Sequence, residues 1–204
     1  MGFTGPKARQ CRREGVNLFG SPKYSKIMAK KPGIPGMHGG KRMPKMSEYS
    51  RQLREKQKMK RIYGVSEKQF RNYFDKATRS KMVTGDALSQ LLERRLDNTI
   101  YRAGFALTRA QSRQMATHGM FIVNGRRVDV PSYQLSPGDV IEVRPSKKSS
   151  LVFGKVKDTQ PDYVAPSWIK ADIKKLQAEI LELPDERHFD AIVETRLIVE
   201  FYSR

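Results

Sequence analysis

The first 60 residues hold 16 Lys and Arg against 3 acids, so 13 of the chain's 19 net positive charges sit there. That imbalance constrains the fold before any other feature. The first 45 residues also carry Pro and Gly throughout, densest from Pro32 to Gly40, and their apolar residues stand singly, with no period of 2 or 3.6. Such a segment buries too little apolar surface to offset its ordering entropy when alone. Residues 1–45 therefore read as a basic, extended arm. Gly and Pro kinks interleaved with Arg and Lys suit an arm that follows a polyanion and orders on binding.

A chain this basic carries a polyanion as its working partner: nucleic acid, an anionic membrane or an acidic protein. The membrane is the weakest of these. No stretch approaches the roughly 18 consecutive apolar residues that a bilayer span needs. No apolar region of signal type follows the early basic residues. Met1-Gly2 starts like an acylation site, but Pro6 stands where Ser or Thr is wanted. Cys11 is the only cysteine, so an internal disulfide is impossible, as in a reducing cytosol. It lies far in sequence from His38, His118 and His188, with no paired ligand spacing, so neither a structural metal nor a cofactor is expected.

Beyond the arm the pattern turns helical. Ser47 can cap a helix through Tyr63, with Gly64 as its terminator. Ser66 and Gln69 form a capping box for a second helix. Its Phe70, Tyr73, Phe74 and Ala77 stand at i, i+3, i+4 and i+7, which is core spacing before it is base stacking. A third helix is expected from about Asp86 to Ala103, with Leu88, Leu91, Leu92, Leu96 and Ile100 on one side, Arg94 and Arg95 flanking the stripe and Gly104 ending it. Thr108 and Gln111 open a short helix that Gly119 can close. Met120–Val123 and Arg126-Arg127-Val128 then flank Asn124-Gly125, the strongest short-range hairpin signal, because a type I′ turn needs two residues with positive φ. Pro137-Gly138-Asp139 turns the chain into a strand from Val140 to Val143. Leu151–Val156 reads as extended, Ser167–Leu183 as a helix, and Leu197–Tyr202 as a strand or a packed terminal coil. The fold class is α+β, mainly helical.

Catalysis finds no foothold. The chain has neither GxxxxGK[ST] nor GxGxxG, and no Cys/His or Ser/His/Asp arrangement. Asp97 and Asp129 lack a sequence partner for acid–base work. The chain does not read as an enzyme. Binding fares better: Arg109 and Arg113 lie i, i+4 on one helix beside Gln111 and Gln114, His118 ends that helix, and Asn124-Gly125-Arg126-Arg127 follows. Planar guanidinium donors match phosphate oxygens in pairs, and amides and turn backbone can reach sugars or base edges.

These residues resemble a known module. Arg95-Leu96-Asp97-Asn98, the run from Thr108 to Gln114, and Val123-Asn124-Gly125-Arg126 look like the small RNA-binding module named after ribosomal protein four of the small subunit. Gly5-Pro6-Lys7, Cys11-Arg12-Arg13-Glu14-Gly15, Pro35-Gly36-Met37-His38-Gly39, Gln52–Lys58, Ile62-Tyr63-Gly64-Val65 and Leu197–Arg204 extend the resemblance, end to end, to the family of that ribosomal protein. It implies a helical domain, residues 46–92 completed by 184–204, with the module (93–165, helix-turn-helix followed by a small curled antiparallel sheet) inserted into it. Residues 166–183, read above as a helix, are expected to pack near the two, and the resemblance implies that the arm lies along rRNA. It implies a cytoplasmic, ribosome-associated protein that binds the 5′ domain of small-subunit rRNA directly and early and nucleates assembly. It also implies contact with ribosomal protein five of the small subunit, linked to decoding accuracy, and with mRNA near its entry path, where Arg42 and Lys45 are the comparable positions. Relatives that hold zinc use four N-terminal cysteines. Cys11 stands alone here, so the chain resembles the zinc-free, bacterial branch.

The RNA-binding residues expected are Lys7, Arg9, Arg12, Arg13, Arg42, Lys45, Arg54, Lys58 and Arg61 for phosphates, with Arg109, Arg113, His118, Asn124 and Arg126 in the module. Two rivals share the module: an RNA-modifying enzyme, which would need a further catalytic domain, and a quality-control factor of stalled ribosomes.

Overall fold

The computed structural model describes residues 5–37, 39, 45–159 and 163–203. The chain divides into two compact units, Met1–Gly85 with Asp190–Arg204, and Asp86–Phe189.

The first unit is helical. α3 (Glu48–Ile62) starts where Ser47 accepts from Ser50 N, and α4 (Glu67–Thr78) starts on the reciprocal Ser66–Gln69 box, both as the sequence indicates. Phe70, Tyr73, Phe74 and Ala77 are all buried, so their spacing is indeed that of a core stripe. Residues Leu197–Tyr202, expected as a strand or coil, instead lie in a helix, α9 (Thr195–Tyr202). Five apolar residues around Glu200 suit either form, and packing decides. As a helix it buries Ile198 completely, sets Phe201 against Tyr49 (centroids 5.6 Å apart) and sets Tyr202 against Phe74 (4.5 Å). The arm also departs from expectation. It contains α1 (Lys7–Glu14) and α2 (Pro22–Lys30), with Cys11 and Leu18 buried. An ion pair supplies what periodicity lacks: the side chain of Glu14, wholly buried at the end of α1, accepts from Nη1 of both Arg54 and Arg61 on α3.

The second unit opens with a break. The single helix expected over Asp86–Ala103 is two, α5 (Thr84–Glu93) and α6 (Leu96–Arg102). Arg94 and Arg95 do not flank a stripe. Arg95 adopts an extended conformation, bridges to Gln134 and is fully buried, while Arg94 donates through Nε to the Leu135 carbonyl at 2.8 Å. The 131–135 segment takes the backbone groups that helix continuation would have used: Leu96 N donates to Tyr133 O and Leu135 N to Arg94 O.

α7 (Arg109–Thr117) follows, capped by Thr108. A five-stranded antiparallel sheet then forms in the order β2-β1-β3-β5-β4, from β1 (Phe121–Val123), β2 (Arg126–Val128), β3 (Val140–Val143), β4 (Ile169–Asp172) and β5 (Gln177–Ile180). Asn124 (φ 49°) and Gly125 (φ 78°) make the β1–β2 turn that their sequence demands. Residues 166–183, expected as a helix, are the β4–β5 hairpin. Ile169, Ile173, Leu176 and Ile180 fit a helical stripe, but Ile169, Ala178 and Ile180 also alternate inward along strands. The open edge of β3 favours the strands by pairing Ile141 with Ala178. α8 (Leu151–Thr159) likewise replaces the extended Leu151–Val156, because a helix turns Phe153 and Val156 together into the core. That core joins Leu96, Phe105, Phe121, Ile141, Phe153 and Trp168, with Phe121 edge-on to Phe153 at 6.2 Å. Among the described residues no helix is long and apolar enough to cross a membrane.

Candidate nucleic-acid interface

Two buried carboxylates organise the arginines of the second unit. Glu93 ends α5 with a wholly buried side chain, and Asp97, in the first turn of α6, is 4% exposed. An ionised carboxylate out of water costs several kcal/mol unless cations and donors meet it. Asp97 receives Arg95 in a fork, Nε to Oδ1 at 3.0 Å and Nη2 to Oδ2 at 2.7 Å, and Arg113 Nη1 donates to the same Oδ2 at 3.1 Å. Glu93 receives Arg102 in a second fork at 3.0 and 2.8 Å, with Arg109 Nη2 3.9 Å away. Asn98 bridges Glu93 and Arg109. Its Nδ2 donates to Glu93 Oε2 at 2.7 Å and its Oδ1 accepts from Arg109 Nε at 2.8 Å. The Arg109 guanidinium also lies over the Tyr101 ring, 4.8 Å from its centroid.

Arg109 and Arg113 therefore sit one turn apart on α7, anchored on buried acids, with 17% and 29% of their side chains exposed. A guanidinium already held in place loses less rotamer entropy when it meets a phosphate. His118 caps α7 and is exposed, as is Arg126 across the following turn. Asn124 is occupied internally. Its Oδ1 accepts from Val140 N at 2.9 Å and its Nδ2 donates to Asp139 at 2.7 Å, tying the hairpin to β3.

In the first unit Arg13, Lys45, Arg54 and Lys58 line one cleft of about 560 Å³, which Arg51 joins and Glu14, Glu55 and Glu194 also border. Arg54 and Arg61 share Glu14, and Lys58 donates to Glu55 at 2.6 Å, so three of the expected phosphate contacts are partly committed internally. Burial pushes the Arg54 guanidinium below its ordinary value, against the pull of Glu14. On α1, Arg9 and Arg13 are exposed, Arg12 Nε donates to the Gly33 carbonyl at 3.2 Å, and the Lys7 ammonium sits 5.1 Å from the Phe19 ring centroid. Arg42 lies outside the described residues.

Arg51, Arg127 and Arg144 are not among the expected contacts, although Arg127 belongs to the basic Asn124–Arg127 turn that the sequence singles out. Arg51 had a signal, since it precedes Arg54 and Lys58 by three and seven positions on one helix. Arg144 had none. Among the described residues no group of three or more His, Cys, Asp and Glu side chains is placed to hold a metal. Cys11 is buried alone, and burial pushes its thiol up.

A helix-turn-helix leading into a small antiparallel sheet, with arginines braced on internal acids, is the architecture of a small RNA-binding module. Residues 2–93 match the model of the ribosomal protein S4/S9 N-terminal domain, and residues 94–141 match the S4 domain. The chain is 46% identical over 99% of its length to the small ribosomal subunit protein uS4 of Chlorobium phaeovibrioides, covering 98% of that protein. It is 47% identical over 99% of its length to the uS4 of Syntrophomonas wolfei, covering 99% of it. The chain belongs to the uS4 family, structural proteins of the small ribosomal subunit and not enzymes.

Proposed function

We propose that this chain is a primary rRNA-binding protein that nucleates small-subunit assembly around the 5′ domain of the rRNA and contributes to decoding accuracy. The observation that carries the reading is the pair Arg109 and Arg113, held one turn apart on α7 by Asn98 and Asp97. Membership of the uS4 family supplies the ribosomal setting.

Binding begins electrostatically. The arm and α3, through Lys7, Arg9, Arg12, Arg13, Arg42, Lys45, Arg54, Lys58 and Arg61, meet phosphates and release counterions. The module, residues 93–165 with Arg109, Arg113, His118, Asn124 and Arg126, then fixes register by shape. Arg54, Lys58 and Arg61 keep donors beyond those that Glu14 and Glu55 engage, since a guanidinium carries five and an ammonium three. Ribosomal protein five of the small subunit is the protein neighbour, and mRNA near its entry path is met by Arg42 and Lys45. The protein works in the cytoplasm on the ribosome.

The test replaces Arg109 and Arg113 together by Gln and measures affinity for the 5′-domain RNA, with thermal unfolding alongside. A fall of tenfold or more in a variant that stays folded at the assay temperature is the expected result. Unchanged affinity in a folded variant overturns the assignment of the module.

A further inference from the structure

Gly119 is buried between α7 and β1, and two guanidiniums converge on it. Arg127 of β2 covers its α-carbon: a Cβ built there would stand 2.8 Å from the guanidinium carbon. Arg144, just after β3, donates through Nη1 to the Gly119 carbonyl at 3.3 Å and through its backbone N–H to Met120 O at 2.9 Å. Two cations are thus drawn to one peptide. The only acid paired with either among the described residues is Asp129, 3.8 Å from Arg127 and itself 57% exposed. His118 precedes the peptide and is exposed.

The strand pattern explains the placement. Arg127 pairs with Ile122, and Phe121 and Val123 on either side of Ile122 face the core, so Arg127 projects from the opposite face. Arg126 lies one register step away and projects from the other side. Arg127 bends back over the end of α7, where only a residue without a side chain lets it lie flat.

We propose that Arg127 and Arg144, seated on the Gly119 peptide, form a phosphate site that takes one backbone phosphate of the bound RNA. This rests on the rRNA-binding reading and adds to it a contact beyond the arginines of α7. Like charges brought to one peptide, with Asp129 as their one direct ion-pair partner among the described residues and Glu142 on the same sheet face, are only partly neutralised, and a phosphate relieves the remaining repulsion while accepting from both planar donor sets. Gly119 is the positioning residue of the pair, because a methyl group there displaces Arg127.

The experiment uses the full chain and the 5′-domain RNA, with affinities measured across a salt series and scrambled RNA of equal length as competitor. Arg127→Gln and Arg144→Gln each weaken binding about tenfold. The double variant flattens the log–log salt slope by about 0.7 to 0.9, the share of one phosphate. Gly119→Ala, which keeps every charge, reproduces the Arg127→Gln loss. Because Gly119 has φ +60°, where a Cβ is strained, its thermal midpoint is read too. The exposed Arg127→Gln carries the test if that midpoint falls. An unchanged slope in the double variant overturns the site, and so does a flattening twice as large, which means two separate contacts. A wild type that prefers its RNA over the competitor while the variants equal it refutes the site alone. A wild type with no preference refutes the rRNA reading, and the site with it.

Discussion

Arg113 donates from Nη1 to Oδ2 of Asp97 at 3.1 Å, an oxygen that also holds the fully buried Arg95 at 2.7 Å. The two arginines share an acid but not a fate. One is locked inside the unit and the other reaches its surface. Asp97→Ala takes the carboxylate fork away from a buried guanidinium and is expected to cost about 3–5 kcal/mol of folding free energy. Arg113→Met, at a partly exposed position, is expected to cost under about 1 kcal/mol. Urea denaturation of the two variants separates the roles, and equal losses contradict them.

Glu14 binds α1 to α3 through Arg54 and Arg61. Glu14→Ala removes the acceptor that both arginines share, so the backbone amides of α1 should lose protection while those of α4 keep theirs. Hydrogen exchange on the free protein reads this directly. Unchanged protection in α1 means that Cys11 and Leu18 hold the helix by packing alone.

How much of this could be read from the chain depended on whether the cause was local. Ser47, the Ser66–Gln69 box and Asn124-Gly125 act within three or four residues, and each element begins or turns where those residues place it. Arg109 and Arg113 were visible as a helix face. Their anchors were not, because Glu93 lies 16 residues before Arg109 and Asp97 as far before Arg113, across a turn that sequence spacing does not resolve. The β4–β5 hairpin failed for a similar reason. Ile169, Ile173, Leu176 and Ile180 satisfy a helical period, and only the unpaired edge of β3 decides against it. Arg95 misled most. A charged residue beside a Leu stripe reads as solvated until the buried Asp97 is placed beside it.

The helix at Leu151–Thr159 is the element least foreshadowed by local pattern, and Phe153 is its anchor, buried edge-on to Phe121. Phe153→Ala should cost about 3–5 kcal/mol, the usual range for emptying an aromatic from a core. A cost below about 1 kcal/mol, the size of an exposed substitution, would place Phe153 outside the core.

Glu67 links α4 to α3 and α9: it accepts from Lys56 at 2.7 Å, from Lys60 at 2.9 Å and from the Tyr202 hydroxyl at 3.0 Å. Burial alone would raise its carboxyl, but the hydrogen bonds and charges of the two lysines outweigh burial and hold it at about 2. A carboxylate with a depressed folded pKa lends stability that is complete above its unfolded pKa and is lost as pH falls through the folded one. Wild-type stability should therefore fall more steeply than that of Glu67→Gln from about pH 5 downward. Chemical denaturation across a pH series measures both slopes, and parallel curves contradict the assignment.

The most direct measurement is affinity for the 5′ domain of small-subunit rRNA across a salt series, against scrambled RNA of equal length. If about six phosphates are neutralised, log affinity falls with log salt at a slope of about −4 to −5, and binding survives the competitor at physiological salt. Equal affinity for both RNAs would contradict specific rRNA recognition and leave a generic binder of polyanions.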